Sequence, residues 1–408
     1  MQKADESTES LRIRATHRND LWRNLFMGIL EGGYNSVALL VAIRHFQASS
    51  GIKSLIAGGA ALGFLLAPAF LLLAARSGLA VSRTCALCMV GTAAGLFCAA
   101  RTEHIWAYAL AFVLTGILVA QVPSLMVHVY SRNYREGERG RRISGNLMLS
   151  AGAGACASLF IGRLLDQDLL LYQEVLLGMA VACLCAAWLH LQIPSEPLRS
   201  KYQPSLHKDL RLAFQDRFFV WMLTAWMLMG VGNLITIPLR VEYVANPAYG
   251  INASNTAVLA ITFFAPAVTR ILSVPVWAFL FDRINLAIVR ISINLCFLAG
   301  LFLYFHCTNL VWLGFSAALV GWATGGGTLA WTLWVTKVAP HGRESTYMSV
   351  HSFFTGLRGV PAPFVGYWIL SHLGPQQVGW ISAAFIAGSS LLFYRLAANK
   401  RLRNPAGS

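Results

Sequence analysis

The chain has 408 residues, of which 56% are hydrophobic and only 12% are charged, and its mean hydropathy is +0.58. Soluble domains carry about 25% charged residues, so this composition excludes an ordinary soluble protein and indicates a membrane protein. Lipid offers no hydrogen-bond partner to the backbone, so the spans must be helices or a closed barrel. The long apolar runs do not alternate with polar residues, which favours an all-α membrane protein.

The net charge of +15 would suggest a nucleic-acid partner in a soluble protein. Here the basic residues lie in short gaps between apolar runs, and we find no zinc-finger spacing, Walker A loop or dinucleotide fingerprint. We therefore expect no nucleic-acid partner, no enzymatic activity, no cofactor and no metal. The Cys85-x-x-Cys88 pair has a spacing that can bind metal or do redox chemistry, but in so apolar a helix packing is the simpler interpretation.

The first ten residues are polar and the first apolar run is too long for a signal peptide, so we expect this run to be retained. Counting apolar runs of about 20 residues predicts twelve transmembrane helices. They cover residues 21–43, 53–75, 82–100, 105–130, 143–165, 169–192, 217–240, 255–281, 285–306, 310–336, 345–371 and 376–397.

Basic residues orient a membrane chain because they favour the cytoplasmic side. With twelve spans, both termini share one side. That side then holds 25 of the 32 Lys and Arg residues, Arg290 included, whereas the opposite side holds five and two lie inside spans. The asymmetry predicts cytoplasmic termini and a multi-pass protein of the cell inner (plasma) membrane.

The longest gap lies between the sixth and seventh runs and contains three prolines and several basic residues. We therefore divide the chain into five parts: a cytoplasmic tail (1–20), a six-helix bundle (21–192), a cytoplasmic linker (193–216), a second six-helix bundle (217–397) and a cytoplasmic tail (398–408). The two bundles resemble each other, since the fifth and eleventh runs both begin after a Gly-Arg pair, at Arg141 and Arg343, and both have a small-residue middle.

On these features the chain resembles the major facilitator superfamily of twelve-helix transporters, and the segment ERGRRISG followed by IGRLLD resembles a poorly characterised bacterial branch of it. The family's loop motif, G-x-x-x-D-R-x-G-R-R, is partly matched twice. Asp282 and Arg283 keep the acidic and basic positions after the eighth run, whereas after the second run Arg76 remains and Ala75 replaces the acid. The resemblance implies a cytoplasmic gate at these residues, with Arg141 and Arg343 at the neighbouring helix starts.

The same resemblance implies two pseudo-symmetric bundles around a central cavity. In the family this cavity is lined mostly by the first, fourth, seventh and tenth helices, with faces of the second, fifth, eighth and eleventh. Such transporters rock their halves around a site at the repeat interface.

Glu31 is the single acidic residue of the first run. A carboxylate near the middle of a bilayer is costly and usually marks an ion or solute path. One interpretation is a proton carrier, which binds a proton when desolvated and releases it when the cavity changes side. The alternative is a structural ion pair with a neighbouring arginine.

Arg270 and Arg358 lie in the middle of the eighth and eleventh runs. Because arginine keeps its proton, each needs a carboxylate, a carbonyl group or a bound anion. Two arginines against one glutamate predict a positive cavity and an anionic or zwitterionic solute held by bidentate contacts. Pairing with Glu31 or with helix-end carbonyls is the alternative.

His351 is a second candidate proton-coupling group. The remaining candidate solute-binding residues are polar or aromatic and lie in predicted cavity-lining runs, although packing is the commoner role of such residues. They are Tyr34, Asn35, Gln121, Asn233, Trp331 and Trp334.

Taken together, these features predict a secondary active transporter that moves a small organic anion or zwitterion, coupled to protons, as a monomer in the lipid bilayer. Two alternatives remain. One is an efflux antiporter for a neutral or cationic compound, and the other is a sensor or lipid scramblase built on the same fold. The direction of transport is not legible in the sequence.

Overall fold

The computed structural model describes residues 2–198, 206–340 and 343–402. Within these ranges the chain is helical and contains no β-strand. The N-terminal half contains α1 (Gln2–Arg44), α2 (Ser50–Ser77), α3 (Val81–Arg101), α4 (Ile105–Val119), α5 (Gln121–Asn133), α6 (Glu136–Gln167) and α7 (Tyr172–Leu191). A linking helix, α8 (Leu206–Gln215), follows. The C-terminal half contains α9 (Arg217–Leu234), α10 (Ile237–Ala245), α11 (Asn255–Leu259), α12 (Ala265–Arg283), α13 (Leu286–His306), α14 (Leu310–Val338), α15 (Glu344–Gly359), α16 (Ala362–Leu373) and α17 (Pro375–Leu396).

Eleven helical segments within the described ranges are long and apolar enough to cross a membrane. They match eleven of the twelve predicted runs, and the chain is a multi-pass membrane protein. The exception is residues 345–371, which are divided into α15 and α16, each too short to count as a span alone. The division falls at Pro361, which lacks the amide hydrogen that would continue the helix.

The predicted N-terminal tail and central linker both contain helix. The first helix, α1, begins at Gln2 and continues without interruption through the first span. In the linker, α8 packs its Ala213 into the apolar core of the C-terminal half. Residues 199–205 of the linker and 403–408 of the C-terminal tail lie outside the described ranges.

The two ends of the bundle can be defined from contacts between helix ends. At the end that we call the distal face, Arg44 at the end of α1 donates to the carbonyl of Ala245 at the end of α10. At the opposite end, the terminal face, Arg401 pairs with Asp216 beside the start of α9 (2.7 Å). Since α1 and α9–α10 both run toward the distal face, the first and last described residues lie at the terminal face.

The buried apolar residues form three clusters. The largest is shared by both halves and includes Val41 and Tyr108 from the N-terminal half with Val244 and Tyr367 from the C-terminal half, at the distal end. Toward the terminal face each half has its own cluster. The halves therefore share one apolar core on the distal side and have separate apolar cores on the terminal side.

Close contact between α1 and α6 positions the face of α1 that meets the other half. A Cβ atom added to Gly32 would lie 2.3 Å from the carbonyl oxygen of Gly154, closer than any side chain allows. Small residues permit this approach between membrane helices, as the Gly32-Gly33 pair suggests in the sequence.

Candidate functional site

Glu31 and Arg270 meet across the two halves. Arg270, on α12, places a guanidinium nitrogen 3.5 Å from a carboxylate oxygen of Glu31 on α1, and the hydroxyl of Ser150 lies 3.5 Å from the other oxygen. Both side chains stay accessible, with 46% of Glu31 and 31% of Arg270 exposed. The contact is long and both side chains are accessible, unlike a buried ion pair, so both groups can also bind other partners.

The same face of α1 carries a second candidate. Asn35 lies one helical turn from Glu31 and is exposed. The next residue, Ser36, exchanges a hydrogen bond with Thr262 of the other half (3.1 Å). This side of α1 therefore forms part of the boundary between the halves, from about 12 Å (Ser36) to about 20 Å (Glu31) below the distal end of the helix at 1.5 Å per residue.

The distal face holds a different kind of ion pair. Lys53 on α2 donates to Glu242 on α10 at 2.7 Å, and only 8% and 2% of the two side chains are exposed. Asn246 and Tyr367 also donate to this carboxylate, and the ammonium group of Lys53 lies 5.0 Å from the ring centroid of Tyr367. This buried, fully bonded pair ties the halves together; we call it the distal lock.

Helix ends reinforce the distal lock. The carboxylate of Asp166, at the end of α6, accepts from the backbone amides of Asn255 (2.6 Å) and Thr256 (3.1 Å) at the start of α11. Arg44 in turn donates through two nitrogens to the carbonyl group of Ala245 at the end of α10. An acid at a helix start and a base at a helix end both stabilise the helix dipole, so the N-terminal half completes two helices of the other half.

Arg358, on α15, lies in a cavity inside the C-terminal half. Its guanidinium donates to the backbone carbonyl of Trp226 on α9. It packs so closely on Gly230 that a Cβ there would lie 1.9 Å from its central carbon. The guanidinium Nε has no hydrogen-bond partner among the described residues. A helix carbonyl therefore accepts from one nitrogen of Arg358, but the side chain keeps a donor without a partner.

Arg290 was misplaced by the sequence analysis, which counted it as a cytoplasmic loop residue. It lies on the second turn of α13 and is only 1% exposed. The sequence could have indicated this position, because residue 290 lies inside the predicted transmembrane run 285–306. Arg290 lines the same cavity as Arg358, and its three guanidinium nitrogens have no hydrogen-bond partner among the described residues.

We call this space the C-half cavity. It has a volume of about 270 Å³ and is lined only by residues of the C-terminal half. Asn233 and Trp331, both predicted as solute-binding candidates, line it together with Trp226 and the two arginines. Arg270 and Arg358, which the sequence placed at a similar depth, are thus divided between the boundary of the halves and this cavity.

His351 and Trp334 are packed behind the cavity. Both are completely buried, and the ring of His351 meets the rings of Trp226, Trp331 and Trp334 at centroid distances of 5.2 to 5.5 Å. Neither ring nitrogen of His351 has a hydrogen-bond partner among the described residues. In this conformation His351 has no direct access to solvent.

Tyr34 and Gln121 have structural partners in the N-terminal half. The hydroxyl of Tyr34 donates to the carbonyl of Phe112 at 2.8 Å. The side-chain amide of Gln121 donates to the carbonyl groups of Gly63 and Ile117, both at 2.9 Å. Gln121 begins α5 just after the helix break at Ala120, so it satisfies backbone groups there and holds α2 against α4.

The five gate candidates all lie at the terminal-face ends of helices. Arg76 and Arg283 are in the last turns of α2 and α12, and the guanidinium of Arg283 lies 4.0 Å from the ring centroid of Phe279. Asp282 precedes Arg283 on α12. The remaining two lie at the starts of α6 and α15 and are exposed: Arg141 and Arg343.

A buried network in the N-terminal half was also missed. Asp20 is completely buried and accepts from Arg23 (2.7 Å), Tyr130 (3.0 Å) and Asn146. It joins α1, α5 and α6 near the terminal face. Sequence analysis assigned Asp20 and Arg23 to the tail or its border, because the apolar run begins at Leu21.

Comparisons with known proteins agree with this architecture. The family model of the Major Facilitator Superfamily matches residues 24–312 and 241–408. No curated protein sequence matches the chain. A substituted form of the nucleoside transporter NupG is similar in structure, with a TM-score of 0.76 at 12% identity, covering 94% of this chain and 99% of that chain.

Two further solved structures share the fold. The D-xylose-proton symporter gives a TM-score of 0.67 at 13% identity, covering 94% of this chain and 97% of that chain. The human organic anion transporter MFSD10 (TETRAN) gives 0.62 at 15% identity, covering 94% and 99%. Such low identities establish the fold alone, whereas the family model covers the chain from residue 24 to its end. The chain therefore belongs to the major facilitator superfamily.

Proposed function

We propose that the protein is a proton-coupled secondary transporter that moves a small organic anion or zwitterion by alternating access. The observation that carries the proposal is the exposed Glu31–Arg270 contact, which joins the halves beneath the distal lock. An ionisable pair on the boundary of two moving halves changes its surroundings whenever the halves rock.

The arrangement of the cores supports an inward-open state. The halves share a core and the distal lock on one side, and they have separate cores on the terminal side. Glu31 and Arg270 are accessible although the distal side is closed, so the cleft between the halves opens toward the terminal face. Outward opening requires the distal lock and the contacts of Arg44 and Asp166 to break.

We further propose that α15 and α16 together form the twelfth span and that the terminal face is cytoplasmic. The excess of Lys and Arg on that side supports this orientation. A cysteine replacing Thr308, in the distal α13–α14 loop, should react with an impermeant thiol reagent added to intact cells. A cysteine replacing Ala398 should not; the reverse pattern would overturn the orientation.

Glu31 is the proposed proton carrier. In the inward-open state its carboxylate has only long contacts with Arg270 and Ser150. Protonation of Glu31 therefore does not break a buried ion pair. Closure of the cleft would press Glu31 against Arg270 or replace Arg270 by a solute group. Either event changes the free energy of protonation, which is the requirement for coupling.

The charge balance supports an anionic or zwitterionic solute. Residues 217–397 contain nine Lys and Arg residues but three acidic ones, and Glu242 is already bound to Lys53 of the other half. MFSD10, which shares the fold, is an organic anion transporter. NupG and the D-xylose-proton symporter carry a nucleoside and a sugar, so neutral solutes are the second candidate class.

Proteoliposomes test the proposal. The purified protein is reconstituted with an internal pH-sensitive dye and challenged with gradients of phenyl phosphate, uridine or D-xylose, and a labelled phospholipid reports lipid flipping. We expect proton movement that depends on phenyl phosphate and that protein-free vesicles lack. Lipid flipping without solute-dependent proton movement would instead identify a scramblase. The absence of both activities would favour a sensor.

A further inference from the structure

The C-half cavity has a composition that no part of the proposed transport cycle explains. Its walls come from α9, α13, α14 and α15, so it lies within one half and not at the boundary where Glu31 and Arg270 meet. Two of its lining residues, Arg290 and Arg358, are cations inside a membrane bundle. Such groups are rare and almost always have a partner or a ligand.

The hydrogen-bonding groups of the cavity are unbalanced. Among the buried side-chain atoms of its described lining residues, five donor nitrogens have no partner: three on Arg290, one on Arg358 and the indole nitrogen of Trp226. Among the same buried atoms a single acceptor, the amide oxygen of Asn233, has no partner. A neutral sugar brings donors and acceptors together and cannot balance this set, whereas a carboxylate or phosphate brings acceptors alone.

Aromatic rings surround these donors. The guanidinium carbon of Arg290 lies 4.1 Å from the ring centroid of Trp226, and Trp331 and Phe297 complete the wall. Stacking on an aromatic ring stabilises a cation but leaves its in-plane nitrogens free to donate. The cavity is therefore polar at its arginines and apolar elsewhere, which fits a solute with one anionic group on an apolar or aromatic body.

None of the described residues that line the cavity is acidic, so none of them supplies the missing counter-charge. Glu242 belongs to the distal lock, and Asp282 lies at the terminal-face end of α12. Removing a charge from water without a counter-charge costs several kcal/mol, so a bound anion would stabilise the protein.

We propose that the C-half cavity is an oxyanion-binding site in which Arg290 and Arg358 clamp the carboxylate or phosphate of a small aromatic or apolar solute. The inference rests on the proposed function in one respect, namely that the bound solute is the transported one. It assigns recognition of the anionic group to the C-terminal half and leaves the proton to Glu31.

The first test measures the thermal stability of the purified full-length protein without ligand. If Arg290 is a buried cation without a counter-charge, Arg290→Met should raise Tm, because an apolar chain of similar length replaces an unsatisfied charge. Arg395→Met, which removes an exposed cation of the same half, should leave Tm unchanged. A fall of Tm in Arg290→Met alone would overturn the proposal, since it would show that the contact with Trp226 is enough to stabilise the Arg290 cation without a bound anion.

The second test measures the rise of Tm with ligand concentration, which follows from preferential binding to the folded state. The probes are benzoate, phenyl phosphate, inorganic phosphate and the neutral benzamide. We expect a rise with benzoate or phenyl phosphate but not with benzamide. The two aromatic probes distinguish a carboxylate from a phosphate, and inorganic phosphate shows whether the aromatic body is needed.

The arginine variants locate the binding. Arg290→Met and Arg358→Met should each weaken binding of the effective anion by about tenfold or more, as expected for a lost charge-assisted bond, and Arg395→Met should not. The proposal fails if none of the anions raises Tm, or if both variants respond like wild type. If the anion binds and these variants weaken it but proteoliposomes show no transport, the site stands and the transport function fails.

Discussion

Arg358 depends on a neighbouring glycine for its position. Gly230 lies under the guanidinium, and any Cβ there would overlap it. Gly230→Ala should therefore displace the end of a flexible side chain without disturbing the backbone. We expect a small change of Tm, but about a tenfold loss of affinity for the effective anion, measured by thermal shift.

The matched control is Gly388→Ala on α17, where an added Cβ would meet its nearest neighbour, Leu228, at an ordinary 3.9 Å. This variant should bind the anion like wild type. Equal affinity in Gly230→Ala and wild type would show that the position of Arg358 is irrelevant to binding.

Single site residues could be predicted from the sequence where the residue type alone is unusual for its position. Glu31 is conspicuous as a carboxylate in an apolar run, and it lies 3.5 Å from Arg270, one of the two arginines at a similar depth in the sequence. Gln121 is equally conspicuous, but its amide nitrogen donates to backbone carbonyls at a helix break. Arg290 was missed because a charge near the end of a run looks like a loop residue until the direction of its side chain is known.

Packing of α1 against α6 is the element-scale feature that holds Glu31 at the boundary of the halves. Gly32→Ala would place a methyl group 2.3 Å from the carbonyl of Gly154, so the helices must separate. Overpacking of this kind costs about 1–3 kcal/mol. We expect a lower Tm of the purified protein and reduced proton movement.

Gly152, on the same α6 helix, provides the control because nothing lies within 4 Å of an added Cβ there. Gly152→Ala should be neutral or stabilising by about 0.5–1 kcal/mol, since alanine favours helix. Equal Tm values for the two variants would contradict the close packing of α1 and α6.

The sequence predicted the helical runs well because length and apolarity decide them. It did not predict that α15 and α16 are separate helices or that α1 extends back to Gln2. Prolines such as Pro361 and Pro363 favour a bend, but a break requires that other groups satisfy the freed carbonyls. The polar residues before Leu21 gave no apolar signal for helix, although Asp20 and Arg23 are buried there by their mutual bonds.

The conformation of the whole molecule depends on the distal lock. In Glu242→Gln the charge of Lys53 loses its partner, and breaking a buried pair in this way costs about 3–5 kcal/mol. We expect the closed distal side to open in a larger fraction of molecules. Spin labels at Glu103 and Thr308, on exposed distal loops of the two halves, should move apart in a cysteine-depleted background.

Exchange of the two charges provides the control for the distal lock. The pair Lys53→Glu and Glu242→Lys restores an ion pair and should return the distance distribution toward that of the wild type. An unchanged distribution in Glu242→Gln would mean that the apolar distal core, and not the ion pair, holds this side closed. Sequence could not identify the lock, because Lys53 and Glu242 are 189 residues apart in the chain.

The central claim is that Glu31 couples solute movement to protons, and Glu31→Gln in proteoliposomes tests it most directly. The variant is compared with wild type in two assays of the effective solute: exchange of internal for external solute, and uptake driven by a pH gradient. A neutral group at position 31 leaves both conformations accessible, so we predict wild-type Tm and exchange but no pH-driven uptake. Loss of exchange and of Tm together would contradict the account, because it would show that Glu31 serves as a structural partner of Arg270.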